Sequence, residues 1–432
     1  VFAPLENLGL IILDEEQEGS YKSENTPRYH AREIAKYRCA KAGGLLVLGS
    51  ATPSVETMYL AKTGVYHLVT LTKRYNERAL PAVYISDMKE ELRSGNGTSI
   101  GTLLRRELET NLERGEQSIL FLNRRGASRM VSCGECGEVP VCPRCSVHLT
   151  YHSANHRLMC HYCGHSEPLP EACPVCGGAL NFIGAGTQKV QSELEELFPG
   201  VEILRMDADT VSAADGHQKL LDRFQRKKVP ILVGTQMVAK GLDFENVTLV
   251  GVLSADQALF SDDFRSNERT FDLLTQVVGR AGRGKYPGRA IIQTYAPENP
   301  VLHLAAQQDY FGFYRQEILF RQAMLYPPFV DILVIGFVGE KEPLVRQGAN
   351  AFLHLLGSLA QQEYSGLPLR VLQPSPAAVA RVSGKYRYKL LIKCRNSPRL
   401  REMVSRLLLQ FASLREFQQV TAYADPNPYR IL

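Results

Sequence analysis

The chain has 432 residues, 44% of them hydrophobic, and a formal net charge of +5. That length allows two to four domains with real cores, and so mild a charge permits a nucleic-acid partner without requiring one. The longest apolar runs, such as Ile332–Gly339, fall far short of the roughly twenty residues of a membrane span. With no recognisable signal peptide, a cytoplasmic protein with reduced cysteines is expected. The first residue is Val1 rather than Met, which reads as a fragment.

Gly9–Leu13 is a short apolar run followed at once by Asp14-Glu15-Glu16-Gln17. A buried strand ending in two carboxylates is the Walker B pattern, where the first acid holds Mg2+ and the second polarises the attacking water. Alone, the pattern also arises by chance. A second apolar strand, Leu45–Leu48, runs into Gly49-Ser50-Ala51-Thr52-Pro53-Ser54. Together the two segments resemble motifs II and III of superfamily 2 helicases. Between them, Tyr21, Lys22, Arg28, Tyr29, His30 and Arg32 interleave aromatics with cations, which suits stacking on bases and pairing with phosphates. A polar loop leading into a helix accounts for them equally well.

Arg74–Gly97 is irregular and charged apart from a short strand at Val83–Ser86, and it ends in the turn Gly95-Asn96-Gly97. An inter-lobe linker is expected here. A helix is predicted over Leu103–Leu112 and a strand over Ser118–Leu122. The basic turn Asn123-Arg124-Arg125-Gly126 follows, fit either to meet a phosphate or to face solvent.

Eight of the ten cysteines then fall into four Cys-x-x-Cys pairs: Cys133/Cys136, Cys142/Cys145, Cys160/Cys163 and Cys173/Cys176. Each such turn aims two thiolates at one point, and two turns complete a tetrahedral Zn2+ site. The middle two turns are fourteen residues apart, close to the roughly fifteen to twenty of a zinc ribbon. The outer turns then close a second site, so the two sites are nested. Disulfides, a thioredoxin-like redox pair, iron in place of zinc, and ligation by His148, His152, His156, His161 or His165 are the alternatives. Eight matched thiols favour zinc and leave the histidines on the surface. Each site could supply on the order of 10–16 kcal/mol of apparent folding free energy to a window poor in core residues.

After the cysteines, strand and helix alternate. Gly184-Ala185-Gly186-Thr187 opens a helix with Val190, Leu194 and Leu197 on one face. Strands are predicted at Val201–Leu204, Pro230–Gly234, Val247–Leu253 and Arg289–Thr294, with helices at Ala214–Gln225 and Asn267–Val278. This reads as a parallel sheet covered on both faces, with the cysteine module inserted into it. Two loops stand out. One is Gly234–Phe244, which contains Gly241 and Asp243. The other, Gln276-Val277-Val278-Gly279-Arg280-Ala281-Gly282-Arg283, places two arginines one helical turn apart and facing the same way. Planar guanidinium forks suit triphosphate oxygens; a basic helix end is the alternative.

Val301–Met324 is predicted as one long helix, ended by Tyr326-Pro327-Pro328-Phe329. Strands at Ile332–Phe337, Leu369–Leu372, Tyr388–Lys393 and Gln419–Ala422, with helices at Leu344–Ala360 and Pro398–Phe411, follow in β-α-β-β-α-β order, ferredoxin-like in outline. Within them Arg381–Lys389 alternates cations with tyrosines, fit to bind single strands or to form a solvated edge strand.

Taken in order, these motifs resemble the primosomal protein N′ (PriA) family of bacterial replication-restart helicases along the whole chain. The resemblance implies an α/β fold: a RecA-like superfamily 2 helicase lobe with an inserted two-zinc cysteine-rich module and a C-terminal ferredoxin-like α+β domain. The expected segments are the end of lobe 1 (1–75), a linker and the start of lobe 2 (76–132), the two-zinc insertion (133–178), the rest of lobe 2 (179–328) and the C-terminal domain (329–432). The implied activity is an ATP-dependent 3′→5′ DNA helicase, cytoplasmic and nucleoid-associated. It would recognise abandoned forks and single strands, contact single-strand-binding protein and load primosome proteins. Residue by residue, Asp14 would hold Mg2+ and Glu15 would activate water, while Ser50 and Thr52 would couple hydrolysis to lobe movement. Gly241 and Asp243 would lie between ATP and DNA, Gln276 would bind nucleotide, and Arg280 and Arg283 would reach the γ-phosphate. The family's nested pairing would put one Zn2+ on Cys133/Cys136/Cys173/Cys176 and another on Cys142/Cys145/Cys160/Cys163.

Two departures qualify this. Gln17 stands where the family usually has His, so the position cannot titrate. Nor does the sequence contain Gly-x-x-x-x-Gly-Lys-Ser/Thr, whose backbone amides and lysine cradle phosphates. The chain alone is therefore expected neither to bind ATP tightly nor to unwind DNA. A zinc-organised module that binds single-stranded DNA or protein without catalysis, and an RNA-directed superfamily 2 enzyme, are the other readings.

Overall fold

The computed structural model describes residues 1–72, 80–122, 130–143, 149–152, 157–160, 165–183, 186–207, 216–235, 244–259, 263–282, 284 and 286–431. These form two compact units, one of Val1–Val69 with Tyr314–Leu432 and one of Thr70–Phe313.

The first unit opens with β1 (Leu10–Asp14), α1 (Ala31–Ala42), β2 (Leu45–Gly49) and α2 (Val55–Lys62). β1 and β2 pair in parallel with Asp14 opposite Gly49. Gly43 caps α1 at φ 67, a left-handed turn that glycine makes without Cβ strain and that sends the chain directly into β2. Ser54 caps α2 by accepting from the Thr57 amide.

The second unit begins with β3 (Ala82–Asp87), α3 (Met88–Arg93), α4 (Thr102–Arg114) and β4 (Gln117–Leu122). The cysteine module contributes β5 (Met130–Cys133), β6 (Thr150–His152), β7 (Arg157–Met159), β8 (Ser166–Pro168) and β9 (Leu180–Ile183). Then come α5 (Thr187–Leu197), β10 (Ile203–Met206), α6 (Gly216–Arg226) and β11 (Ile231–Gly234). They are followed by β12 (Val247–Leu253), α7 (Asp256–Leu259), α8 (Ser266–Val278), β13 (Arg289–Thr294) and α9 (Pro300–Ala306).

Six parallel strands make its sheet in the order β10-β11-β4-β12-β13-β3. Every residue of β4, β11 and β12 is buried, as a parallel sheet covered on both faces requires. Leu104 and Leu108 of α4 and Val190 and Leu194 of α5 share one apolar cluster with these strands. At Gly251 an added Cβ would stand 2.6 Å from Leu120 and 2.9 Å from Leu104, so α4 packs where a side chain is missing.

Two expectations change here. The strand placed within a linker is the edge strand of this sheet, in register with β13 from Ala82 opposite Arg289 to Asp87 opposite Thr294. The long helix predicted over Val301–Met324 is two helices, α9 and α10 (Tyr310–Met324). The break falls at Gln308, which takes φ 53, and Asp309 restarts the helix by accepting from the Gly312 amide at 2.8 Å.

From Tyr314 onward the chain returns to the first unit. It continues as β14 (Asp331–Gly339), α11 (Glu342–Gln362), β15 (Arg370–Val371), β16 (Ser375–Val382), β17 (Lys385–Cys394), α12 (Pro398–Ser413) and β18 (Thr421–Pro426). The sheet order is β15-β17-β14-β18 with β16 also on β17, which is ferredoxin-like with one strand, β16, that the sequence reading lacked. Phe337, Phe352, Phe411 and Phe417 pack their rings at its centre. Arg381–Lys389 forms the β16–β17 hairpin; Arg381–Lys385 are exposed, with β16 paired to β17 alone as an edge strand, whereas buried Lys389 donates to the Ile431 carbonyl at 2.8 Å.

Arg321 is fully buried in the first unit. Its Nε donates to Glu317 Oε1 at 2.9 Å and its Nη1 stands 3.3 Å from Glu56 Oε2. Removing one member of a buried ionic set strands the rest without compensation. Arg321→Met is expected to lower stability by about 3–5 kcal/mol, read as a fall in the urea midpoint by circular dichroism. An unchanged midpoint would show that the two carboxylates do not depend on it.

Candidate metal centre and acid-pair site

Antiparallel pairing of β5 with β9 sets Cys133 opposite Leu180 and closes the stem of the cysteine module. At the end of that stem two turns of like construction face each other. In one, Cys133 Sγ accepts the amides of Glu135 and Cys136 at 3.3 and 3.4 Å. In the other, Cys173 Sγ accepts the amide of Val175 at 3.4 Å, and Cys176 Sγ that of Gly178 at 3.4 Å. Each turn closes on a left-handed glycine, Gly137 at φ 72 and Gly177 at φ 77.

The ligand atoms of Cys133, Cys136, Cys173 and Cys176 all lie within 4.8 Å of one another. Cys133 and Cys176 sulfurs are 3.3 Å apart and those of Cys136 and Cys173 are 3.7 Å apart. Those spacings are not disulfides. They fit a tetrahedron with Zn–S near 2.3 Å, whose edges are roughly 3.8 Å. Burial opposes ionisation of Cys133, but the amides of Cys136 and Glu135 and the neighbouring Cys176 thiol bring it down to about 7. Despite the Gly178 amide, the Cys133 and Cys136 thiols push Cys176 up to about 12. Thiols so crowded give up their remaining protons most readily to a divalent cation.

Of the other four cysteines, Cys142 and Cys160 are buried in one apolar cluster with Val131, Leu149, Tyr151 and Leu158. Cys145 and Cys163 lie outside the described residues.

The acid run sits at the end of β1. Asp14 and Glu15 are both exposed, and Glu15 takes φ 49 with its amide bonded to Asp14 Oδ1 at 3.0 Å. This turn presents two hard carboxylates side by side at the carboxyl end of a parallel strand, a donor set suited to Mg2+. From Glu15 a chain of hydrogen bonds runs to the loop after β2. Gln17 Nε2 donates to Glu15 Oε2 at 2.7 Å. Ser50 Oγ donates to Gln17 Oε1 at 2.6 Å, and the Thr52 amide donates to Ser50 Oγ at 2.9 Å. Gln17 thus bridges the two segments with both ends of its amide.

Sequence reasoning passed over Glu16, which is buried. Its carboxylate accepts from the Ser54 amide at 2.6 Å, Arg32 Nη1 at 2.8 Å and Thr57 Oγ1 at 3.0 Å. Arg32 also donates to Ser54 Oγ and Thr57 Oγ1. Arg32 and Glu16 therefore pin β1 to the start of α2. The available signal was the helix cap at Ser54 with Thr57 three residues on, directly after an acid-bearing strand. The cations read as candidates for nucleic acid are largely engaged inside the unit, Arg32 with Glu16 and both Lys22 and Arg28 with Asp425.

In the second unit, Gln276 lies half-buried on α8. Arg280 is not on that helix, which ends at Val278 with Gly279 as its cap. Past that cap Gly282 sits at φ 73, and a Cβ there would collide with the backbone of Gly288. At Gly284 a Cβ would collide with the backbone of Glu245. Arg283, Gly241 and Asp243 lie outside the described residues. Among the described residues, no helix is long and apolar enough to cross a membrane.

Three family descriptions match the chain. They are the PriA DNA helicase Cys-rich region (CRR) domain at 142–168, the helicase conserved C-terminal domain at 182–285 and the primosomal protein N C-terminal domain at 322–428. Replication restart protein PriA of Bacillus subtilis is 45% identical over 433 residues, covering 100% of this chain and 53% of that protein. The protein of that name in Treponema pallidum is 39% identical over 434 residues, covering 100% of this chain and 64% of the relative. The chain spans about half the length of the curated relatives it matches. Among solved structures, RecG bound to a three-way DNA junction is 13% identical, with a TM-score of 0.38 over 72% of this chain and 30% of that one. That likeness is too loose to say more.

Cys173→Ser is expected to lower tightly held zinc by about one ion per chain, measured by elemental analysis, and to speed hydrogen exchange at the β5–β9 stem. Full zinc content in the variant would show that the four thiols are not one ligand set.

Proposed function

This chain belongs to the PriA family of replication restart proteins, and we propose that it is the motor-and-recognition half of an ATP-driven 3′→5′ DNA helicase. The observation that best supports this is the hydrogen-bonded chain Glu15–Gln17–Ser50–Thr52. It joins the acid that would face the attacking water to the loop that would answer hydrolysis with movement.

Bound MgATP would supply the phosphoryl group. Asp14 would hold the metal, Glu15 would orient water, and Arg280 and Arg283 would bring positive charge to the transferring phosphate. Gly241 and Asp243 would serve between ATP and DNA, and Gln276 would bind nucleotide. The sequence has no phosphate-cradling loop, so hydrolysis is proposed for a protein of the relatives' length and not for this chain alone. One face of the β1–β2 pair exposes Leu10, Ile12, Leu45 and Val47. Parallel sheets are normally covered, and the rest of lobe 1 would cover this one.

By this reading 1–75 ends lobe 1, 76–132 and 179–328 make lobe 2, 133–178 is the insertion and 329–432 is the C-terminal domain. Two Zn2+ organise the insertion, with Cys142, Cys145, Cys160 and Cys163 holding the second. The protein would work on forks and single strands in the cytoplasm, at the nucleoid, with single-strand-binding protein and primosome proteins as partners. The metal centre by itself supports a second reading, a zinc-organised module that binds single-stranded DNA or protein without catalysis.

In the helicase-length protein, Arg283→Ala is expected to cut DNA-stimulated ATP turnover about 10³-fold, roughly 4 kcal/mol of barrier, with zinc content unchanged. Turnover that survives the change would overturn the role given to Arg283.

A further inference from the structure

We infer that Asp425, on the C-terminal strand β18, is a positioning residue for the Asp14–Glu15 acid pair, acting through Lys22 and Tyr21. This rests on the reading of Asp14 as the metal-holding acid.

The loop between the acid pair and α1 is closed on itself. Lys22 and His30 form an isolated antiparallel bridge, and the Ser23 amide donates to the Tyr29 carbonyl at 2.8 Å. One end of this loop touches the acid pair directly, where Tyr21 OH donates to the Asp14 carbonyl at 2.7 Å. Its other contacts are to the far end of the chain. The buried Lys22 ammonium stands 2.9 Å from Asp425 Oδ1 while its hydrogens go to the carbonyls of Arg28 at 2.8 Å and Pro426 at 3.3 Å. Its hold on Asp425 is an ion pair. Arg28 Nη1 donates to Asp425 Oδ2 at 3.1 Å, and its guanidinium lies 4.3 Å over the Tyr423 ring. Gly19 packs so tightly under the Tyr429 ring that a Cβ would collide with it.

One carboxylate therefore holds two cations of a loop some 400 residues earlier in the chain. Deleting it would leave Lys22 buried and uncompensated, and the loop would have to open. Opening the loop withdraws Tyr21 from Asp14. The neighbouring Glu15 is a non-glycine residue at φ 49, a conformation that persists only where its surroundings over-determine it. Tyr21 holds that turn from one side and Gln17 from the other. Asp425 touches neither acid, so its effect is on where they stand.

The test has two parts. In this chain, Asp425→Asn should speed hydrogen exchange about tenfold at the amides of 15–30 while β14 and β17 exchange as before. In the helicase-length protein, Asp425→Asn should raise the Mg2+ half-saturation of ATP turnover about tenfold, with little loss of kcat at saturating Mg2+. Asp425→Glu should restore it. Tyr21→Phe should reproduce the Mg2+ defect, and the double variant should be no worse than either single, since both break one linkage. Unchanged exchange at 15–18, or defects that add, would overturn the inference. Normal turnover in Asp14→Asn would overturn the acid-pair reading and this inference with it, whatever the exchange data show.

Discussion

Buried charge makes one body of two distant pieces of chain. Asp425 meets Lys22 and Arg28, and Arg321 meets Glu56; each pair joins the first seventy residues to the last hundred or so. Ion pairs out of water contribute little net stability, but half of one is costly. Such contacts therefore act less as glue than as a condition. The acid-bearing strand and the ferredoxin-like domain must be present together, or several charges are left in an apolar interior. Everything proposed for Asp14 and Glu15 depends on that condition, because the turn presenting them is held by residues that answer to it.

The cysteine module solves a different problem by different means. Its segments β6, β7 and β8 have three residues each and bury a small cluster around Tyr151 and Leu158. Two amide-lined turns bring four sulfurs together at the end of a short antiparallel stem. There the sequence is nearly explicit, since a Cys-x-x-Cys-Gly turn has one geometry wherever it occurs. The parallel sheet was legible for a related reason: strands buried on both faces read as continuous apolar runs, as β4, β11 and β12 do.

What escaped the sequence depends on partners far away in the chain. Residues 82–87 look like a strand within a linker because the strand they pair with lies some two hundred residues later. Residues 301–324 read as one helix with a mixed face, yet Gln308 in a left-handed conformation and Asp309 as a cap divide it. The spacing suggests that Arg280 continues a helix, but α8 stops at Val278 with Gly279 as its cap. Lys22 and Arg28 look like solvent cations until Asp425 is found beside them. In the site, the acid pair and its Ser50–Thr52 partner loop were readable as motifs. Glu16 and Arg32, which fasten those motifs together, were not, because a buried carboxylate and an exposed one are written with the same letter.

The β5–β9 stem has a consequence for how such a chain can change over time. Its two strands run side by side in opposite directions, with Met130 opposite Ile183, so the module departs from and rejoins the host at a single doorway. Residues can be added or lost beyond that doorway without altering the separation of β4 and α5. A chain built this way can acquire a new surface by grafting, at no cost to the register of its parallel sheet.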